Sequence, residues 1–134
     1  MTVSHTQLIL LATSIFVALP LGGVASALFF RRLLRRLNLM GSIATGLTVP
    51  AWLIGVVERT FFTLAVAYDI SGAAVGMIAW ITVKMVSTWN RPDRKAPSDD
   101  PEIAVQLSMA ALLASLLSMI FATAGGLIWR VALK

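Results

Sequence analysis

The sequence predicts an all-α integral membrane protein, a small bundle of four transmembrane helices. Two observations predict this class: 58% of the 134 residues are hydrophobic and only 13% are charged, and the mean hydropathy is +0.87. Soluble domains carry about 25% charged residues, and a chain this short cannot bury so much apolar surface behind a water-facing shell. We therefore expect a single membrane domain over residues 1–134, with the lipid bilayer as its main partner.

The first predicted span covers residues 8–30, "LILLATSIFVALPLGGVASALFF". Its length of about 23 residues is enough to cross a hydrocarbon core of about 30 Å. Pro20, followed by Gly22 and Gly23, predicts a kink or a loosened turn. The small residues "VASA" at 24–27 are similar to a signal-peptide cleavage site, but no basic residue precedes the apolar run and "RRLLRR" follows it. We therefore expect the span to be retained.

A basic segment, residues 31–37, follows the first span. Its four arginines stack in pairs four residues apart on a helix: Arg31, Arg32, Arg35 and Arg36. Cations beside an apolar span are typical of contact with anionic lipid headgroups. The net charge of +5 could also suggest nucleic acid, but no aromatic residue is interleaved here. We expect no nucleic-acid partner.

The second and third spans are predicted at 50–68 and 72–89, and two divisions of this stretch compete. One ends a helix at Val57 and turns at Glu58 and Arg59. The other turns at "YDISG", residues 68–72. The stretch "VERTFF" contains no residue that favours a turn, whereas "DISG" offers an Asp and a Ser that can cap the next helix and a Gly that tolerates positive φ. We therefore predict the turn at 68–72.

The start of the second span is less clearly marked. Pro50 behind the hydroxyl of Thr48 is typical of a first helical turn. Residues 39–49 remain open to two interpretations, an interfacial connector or an extension of the second span.

Three charged residues fall inside these two apolar spans: Glu58, Arg59 and Lys84. Glu58 and Lys84 each lie 13 residues from Ser71, so a hairpin folded at Ser71 sets them opposite each other. Arg59 is rotated by about 100° from Glu58 on the same helix. An ionised group at the bilayer centre costs about 2.5–3.5 kcal/mol or more. Glu58 must therefore pair with Lys84 or Arg59, face a hydrated cavity, or stay protonated.

The fourth span is predicted at 103–129, after a loop at 90–102. Asp100 is placed to cap this helix, with Pro101 in its first turn. Small residues recur along the span in alternating steps of four and three: Ala104, Ser108, Ala111, Ser115, Ser118, Ala122 and Gly125. This small-residue seam predicts close, left-handed helix packing. The partner helix could be internal or belong to another copy of the chain.

The cations also predict the orientation. Four crossings place the basic segment 31–37 and the cations Arg91, Arg94 and Lys95 of the loop 90–102 on the same side. The positive-inside rule makes that side cytoplasmic, so residues 31–49 and 90–102 are cytoplasmic and both termini lie outside. The composition is typical of a multi-pass protein of the bacterial inner (cell) membrane. Trp80 is exceptional among the tryptophans because it falls in the middle of a span.

No pattern of residues predicts an enzyme. The sequence has no cysteine and one histidine, His5, and it lacks a Ser/His/Asp set, a metal-ligand cluster and a phosphate-binding loop. We expect no catalytic residues, no metal and no cofactor. Three interpretations remain: a non-catalytic membrane component that packs with itself or with a larger membrane partner, an oligomeric transporter or pore (including a membrane-permeabilising effector) lined by Glu58, Arg59 and Lys84, and a membrane enzyme.

Overall fold

The structure is a computed structural model that describes residues 4–40, 51–89 and 101–134, and the regular elements within these ranges are helical. The described residues form four helices, here numbered α1 (His5–Arg36), α2 (Ala51–Ala67), α3 (Ala73–Trp89) and α4 (Pro101–Ala132). The helical class predicted from the sequence is confirmed for this part of the chain. By length and composition, α1 and the Val105–Ala132 part of α4 can cross a membrane.

The middle helices are shorter, with 17 residues each. At 1.5 Å per residue they extend about 25 Å, close to the lower limit for a span. Several sequence predictions lie outside the described residues: the Thr48 and Pro50 start of the second span, the connector beyond residue 40, the loop cations and the Asp100 cap.

The first helix contains a π-helical turn, Val17–Leu21, around Pro20. Proline has no backbone N–H and its ring crowds the preceding turn. The helix accommodates both effects by widening one turn: the Gly22 N–H is directed to the carbonyl of Val17. The helix then continues to Arg36 instead of ending. The predicted loosening at Pro20 is therefore a local widening.

The end of α1 is set by Asn38, which has a left-handed φ of 55°. This conformation lets the Leu39 N–H reach the carbonyl of Leu34 at 2.9 Å, a Schellman-type ending. Leu34 and Leu39 are then both buried against Ala110 of α4. The backbone conformation that ends the helix at Asn38 therefore also brings Leu39 into its packed position.

The turn between α2 and α3 falls at 68–72, as the turn chemistry predicts. Asp69 has φ 53° and Gly72 has φ +84°. The Ile70 N–H returns to the carbonyl of Ala65 at 2.9 Å, which ends α2 in the same way as α1. The prediction that the Asp69 side chain caps the next helix is wrong: its carboxylate accepts a hydrogen bond from Arg130 of α4.

The helix α4 lies at the centre and contacts each of the other three. Two contacts show that α1 runs antiparallel to α4. The Ser14 hydroxyl, early in α1, donates to the carbonyl of Gly125, late in α4, at 2.6 Å. Leu34, late in α1, lies beside Ala110, early in α4. The turn at 68–72 lies beside the end of α4, where Asp69 contacts Arg130. Helix α2 is therefore parallel to α4, and α3 is antiparallel.

The interior of the bundle is rich in small and polar residues, and many large apolar side chains lie on its outer surface. In the described part of the chain, ten buried residues are apolar, six of them alanines, and six are polar or charged: Ser14, Glu58, Arg59, Thr63, Ser108 and Ser118. Large apolar side chains are exposed on every helix, including Ile9, Phe61, Val75 and Ile120, each more than 60% exposed. In a water-soluble bundle, by contrast, large apolar residues are most often buried and charged residues are rarely buried.

Candidate functional site

The carboxylate of Glu58 is the centre of a buried polar contact between α2 and α3. Glu58 is 9% exposed. The Lys84 ammonium lies 2.8 Å from Oε1 and 2.9 Å from Oε2, and the Trp80 indole N–H donates to Oε1 at 3.0 Å. Three charge-assisted hydrogen bonds therefore hold this carboxylate. The pairing with Lys84 has the register that a hairpin folded at Ser71 predicts.

Lys84 extends the contact to the central helix, because its ammonium also donates to the Ser115 hydroxyl of α4 at 3.1 Å. Its side chain is 41% exposed. A cavity of about 50 Å³ lies beside it, between α3 and α4, with Ser108 and Ser115 in its wall. A single lysine thus joins α2, α3 and α4 at one level of the bundle.

Arg59 does not join this contact, although it follows Glu58 in the sequence. Its NH1 atom donates to the Ser118 hydroxyl of α4 at 3.1 Å, and Arg59 is 7% exposed. Within the described residues no carboxylate lies within ion-pair distance of the guanidinium, and its buried Nε atom has no hydrogen-bond partner there. The three charges predicted as one cluster are thus a pair and a separate arginine.

Three glycines make room for the Arg59 side chain. A Cβ atom added at Gly23 would lie 3.0 Å from NH2, one at Gly55 would lie 3.2 Å from NH1, and one at Gly22 would lie 3.3 Å from Cδ. Gly22 and Gly23 come directly after the π-helical turn of α1. The widened turn and the two glycines therefore bring α1 against the guanidinium.

The small-residue seam of α4 faces the chain's own helices over most of its length. Ser118 contacts Arg59, the Ala122 carbonyl accepts from the Thr63 hydroxyl at 3.2 Å, and Gly125 lies against Ala18 of α1. Ser108 is buried, Ser115 is half-buried and Ala111 is exposed. The side chain of Ala104 lies outside the described residues. For the second half of the seam, the partner helices are internal.

The four arginines of the basic segment lie at the end of α1, and all four are exposed: Arg31, Arg32, Arg35 and Arg36. They extend from the end of the bundle where α4 begins. The chemistry available there is that of exposed guanidinium groups, which bind phosphate well.

Sequence reasoning missed the residues that complete the polar contacts. Trp80 lies four positions before Lys84, on the same face of α3, and its position in mid-span was a signal that it had a buried partner. Ser115 and Ser118 are members of the seam, which was recognised by the small size of its residues. That pattern does not indicate which groups the two hydroxyls bind. The glycines around Arg59 gave no signal, because they come from two helices that are distant in the sequence.

The chemistry of this site is that of fixed hydrogen bonds. Glu58 is hydrogen-bonded to both Lys84 and Trp80. The described ranges contain no group of three or more His, Cys, Asp or Glu that could hold a metal ion.

Comparison with known proteins finds no relative: no family model matches the chain, and no curated protein or solved structure is significantly similar to it.

Proposed function

We propose that this chain is a non-catalytic, multi-pass protein of a cell membrane, with four crossings, that assembles with membrane helices of another copy or of a larger protein. The observation that carries the proposal is the burial pattern: polar residues such as Glu58, Arg59 and Ser118 are buried, while large apolar residues such as Ile9, Val75 and Ile120 are exposed. Membrane bundles use small residues and buried polar side chains at their helix contacts and expose apolar side chains to lipid.

The direction of the helices supports an even number of crossings. The basic end of α1, the start of α2, the end of α3 and the start of α4 lie at one end of the bundle, since α1 and α3 run antiparallel to α4. The turn at 68–72, the start of α1 and the end of α4 lie at the other end. With the positive-inside rule, the basic end is cytoplasmic, and the four arginines from Arg31 to Arg36 contact anionic headgroups there.

The buried charges act as ties between helices in this proposal. Ser115 lies about 12 residues into the span predicted at 103–129, or about 18 Å at 1.5 Å per residue, which is close to the middle of a core of about 30 Å. At that depth a charge without a partner is costly. Glu58 and Lys84 satisfy each other and so join α2, α3 and α4.

Assembly with a partner would use the outer faces of the bundle. The second half of the seam is occupied by α1 and α2, as the contacts of Ser118, Ala122 and Gly125 show. On α3, by contrast, a Cβ atom added at Gly76 would meet nothing within 4 Å. This open face of α3 is the side on which a partner helix could approach closely.

A second candidate function is a transporter or pore lined by the charges. One observation favours it: the cavity beside Lys84 places polar groups inside a proposed span. The hydrogen bonds that Glu58 accepts from Lys84 and Trp80 favour the structural role instead. A membrane enzyme has no support from the site, because the contacts of Glu58, Lys84 and Arg59 leave no activated nucleophile or acid–base pair.

The topology is tested by placing single cysteines in a chain that has none of its own. We expect Thr2→Cys and Leu133→Cys to react with an impermeant maleimide added to intact cells, and Ser98→Cys to react only after the cells are permeabilised. Reversal of all three results would invert the orientation. Labelling of Thr2→Cys and Leu133→Cys from opposite sides would exclude four crossings.

A further inference from the structure

A crevice between α3 and α4 lies beside the Glu58–Lys84 ion pair. Three polar and three apolar side chains line most of it: Lys84, Ser108, Ser115, Ile81, Met85 and Leu112. We propose that this crevice is a water-binding vestibule that hydrates Lys84 from the arginine-rich side of the membrane only. The inference depends on the four-crossing arrangement proposed above.

The size and chemistry of the crevice suit water. Its volume is about 50 Å³, and a single water molecule needs about 10–15 Å³ measured in this way. A few water molecules therefore fit. Buried water also needs two to four polar partners. The hydroxyls of Ser108 and Ser115 in the wall are groups of this kind, and the Lys84 ammonium lies beside them.

The positions of the lining residues give the vestibule a direction. Ser115 contacts Lys84 at the deep end. Ser108 lies seven residues closer to the start of α4, about 10 Å along the helix axis. The start of α4 is at the same end of the bundle as the arginines of α1, since Leu34 packs beside Ala110. The crevice therefore extends from the ion pair towards the arginine-rich side.

An apolar layer closes the other end. Phe62, Met119 and Ala122 are buried together, and Met77 and Ile81 pack against them. This layer lies between the ion pair and the turn at 68–72. The side chains of Phe62, Met119 and Ala122 offer water no hydrogen-bond donor, and the Ala122 carbonyl already accepts from the Thr63 hydroxyl. Apolar surroundings of this kind stay dry. Water can therefore approach the ion pair from one side and cannot pass across.

The vestibule also explains how a half-exposed lysine is tolerated at this depth. Glu58 is buried, but the Lys84 side chain is not. Contact with lipid would place the exposed part of this charged side chain in an apolar medium, which is unfavourable in a membrane. Water in the crevice solvates the side of Lys84 that protein does not cover.

Single cysteines in the crevice test the proposal. Ser108→Cys, Ala111→Cys and Ser115→Cys place a thiol in its wall, and Leu113→Cys and Leu116→Cys are controls at the same depth on exposed faces of α4. The probe is Ag⁺, a cation small enough to enter a water-sized passage, which binds a thiol and protects it from maleimide. After exposure to Ag⁺ the protein is denatured, and the fraction of thiol that still reacts with maleimide is measured. A thiol in apolar surroundings ionises poorly and reacts slowly.

We expect the three crevice thiols to be protected by Ag⁺ at least about tenfold faster than the two controls. In sealed vesicles this protection should occur only when Ag⁺ is added on the side that labels Ser98→Cys. Equal rates for crevice and control thiols, or faster protection from the opposite side, would overturn the proposal. Ala111→Cys keeps the test valid if Ser115→Cys disturbs the contact with Lys84.

The failure of the vestibule and of the proposed function can be told apart. If Thr2, Ser98 and Leu133 label as four crossings require but the crevice thiols react like the controls, the vestibule alone is wrong. In permeabilised cells, the maleimide labelling rates of Leu113→Cys and Leu116→Cys can be compared with that of Ser98→Cys. If the rates are equal, α4 is not surrounded by lipid, and the proposed membrane insertion is wrong.

Discussion

Lys84 donates to both carboxylate oxygens of Glu58, at 2.8 and 2.9 Å, across the hairpin formed by α2 and α3. The two residues are 26 positions apart. Few other contacts join α2 and α3, since both helices pack mainly on α4. This ion pair is therefore the principal polar link between the two arms of the hairpin, and its removal should be felt in the stability of the bundle.

The first prediction concerns Glu58. Glu58→Ala leaves the Lys84 ammonium without its carboxylate, and breaking a buried pair costs about 3–5 kcal/mol whereas an exposed pair is worth about 0–1. Because Lys84 is partly exposed, we expect a loss of about 2–4 kcal/mol, measured as a lowered melting temperature in detergent. Glu58→Gln should be milder, since the amide still fills the space and accepts a hydrogen bond.

A double mutant and a matched control make this prediction specific. Glu58→Ala combined with Lys84→Met should recover part of the loss, since no unpaired ammonium remains. Asp69→Asn removes the carboxylate of the exposed pair with Arg130 and should change stability by less than about 1 kcal/mol. Stability of Glu58→Ala equal to that of the wild type would show that the pair does not hold the hairpin.

The second prediction concerns Arg59, whose buried guanidinium has one hydrogen bond and no carboxylate partner among the described residues. Replacing buried ionic groups with apolar residues of similar size is often neutral or stabilising by about 1–4 kcal/mol. We therefore expect Arg59→Met to be at least as stable as the wild type in detergent. Arg59→Ala is the control: it leaves a cavity and should be less stable than Arg59→Met. A loss of more than about 2 kcal/mol in Arg59→Met would mean that the guanidinium is a stabilising group.

The third prediction compares two helical glycines. A Cβ atom at Gly126 would lie 2.6 Å from Cβ of Val66 and 2.7 Å from the carbonyl oxygen of Thr63, whereas one at Gly76 would meet nothing within 4 Å. Gly126→Ala should therefore separate α2 from α4 and lower stability by about 1–3 kcal/mol. Gly76→Ala should be neutral or stabilising by up to about 1 kcal/mol in the isolated protein, because alanine favours helix. Similar effects of the two changes would contradict the close approach of α2 and α4.

Sequence reasoning reached the elements of this fold but not the arrangement around α4. The turn at 68–72 follows from local chemistry, and the register of Glu58 and Lys84 follows from the turn. The direction of Arg59 could not be predicted in this way. Helical periodicity separates it from Glu58 by an angle, but it does not say that Gly22 and Gly23 of α1 lie on that side. The same limit applies to the seam: small residues mark a contact surface, and only the structure assigns it to α1 and α2.

Asp69 shows a different limit. Its residue type is typical both of a cap for the following helix and of a left-handed ending for the preceding one. The residue type alone does not distinguish these roles, and the predicted cap for the following helix is wrong. In the structure the Asp69 carboxylate accepts a hydrogen bond from Arg130 of α4, 61 residues later, and the left-handed backbone of Asp69 ends α2.

The central proposal is that the Glu58–Lys84 ion pair holds α2, α3 and α4 together and does not form a path across the membrane. Proton flux into liposomes under an imposed membrane potential tests it most directly, with the purified wild-type protein, Glu58→Gln and protein-free liposomes compared. We predict that all three preparations leak at the same rate, because the apolar layer of Phe62, Met119 and Ala122 closes the crevice. A flux through the wild-type protein that Glu58→Gln abolishes would contradict this account and establish a proton path through Glu58.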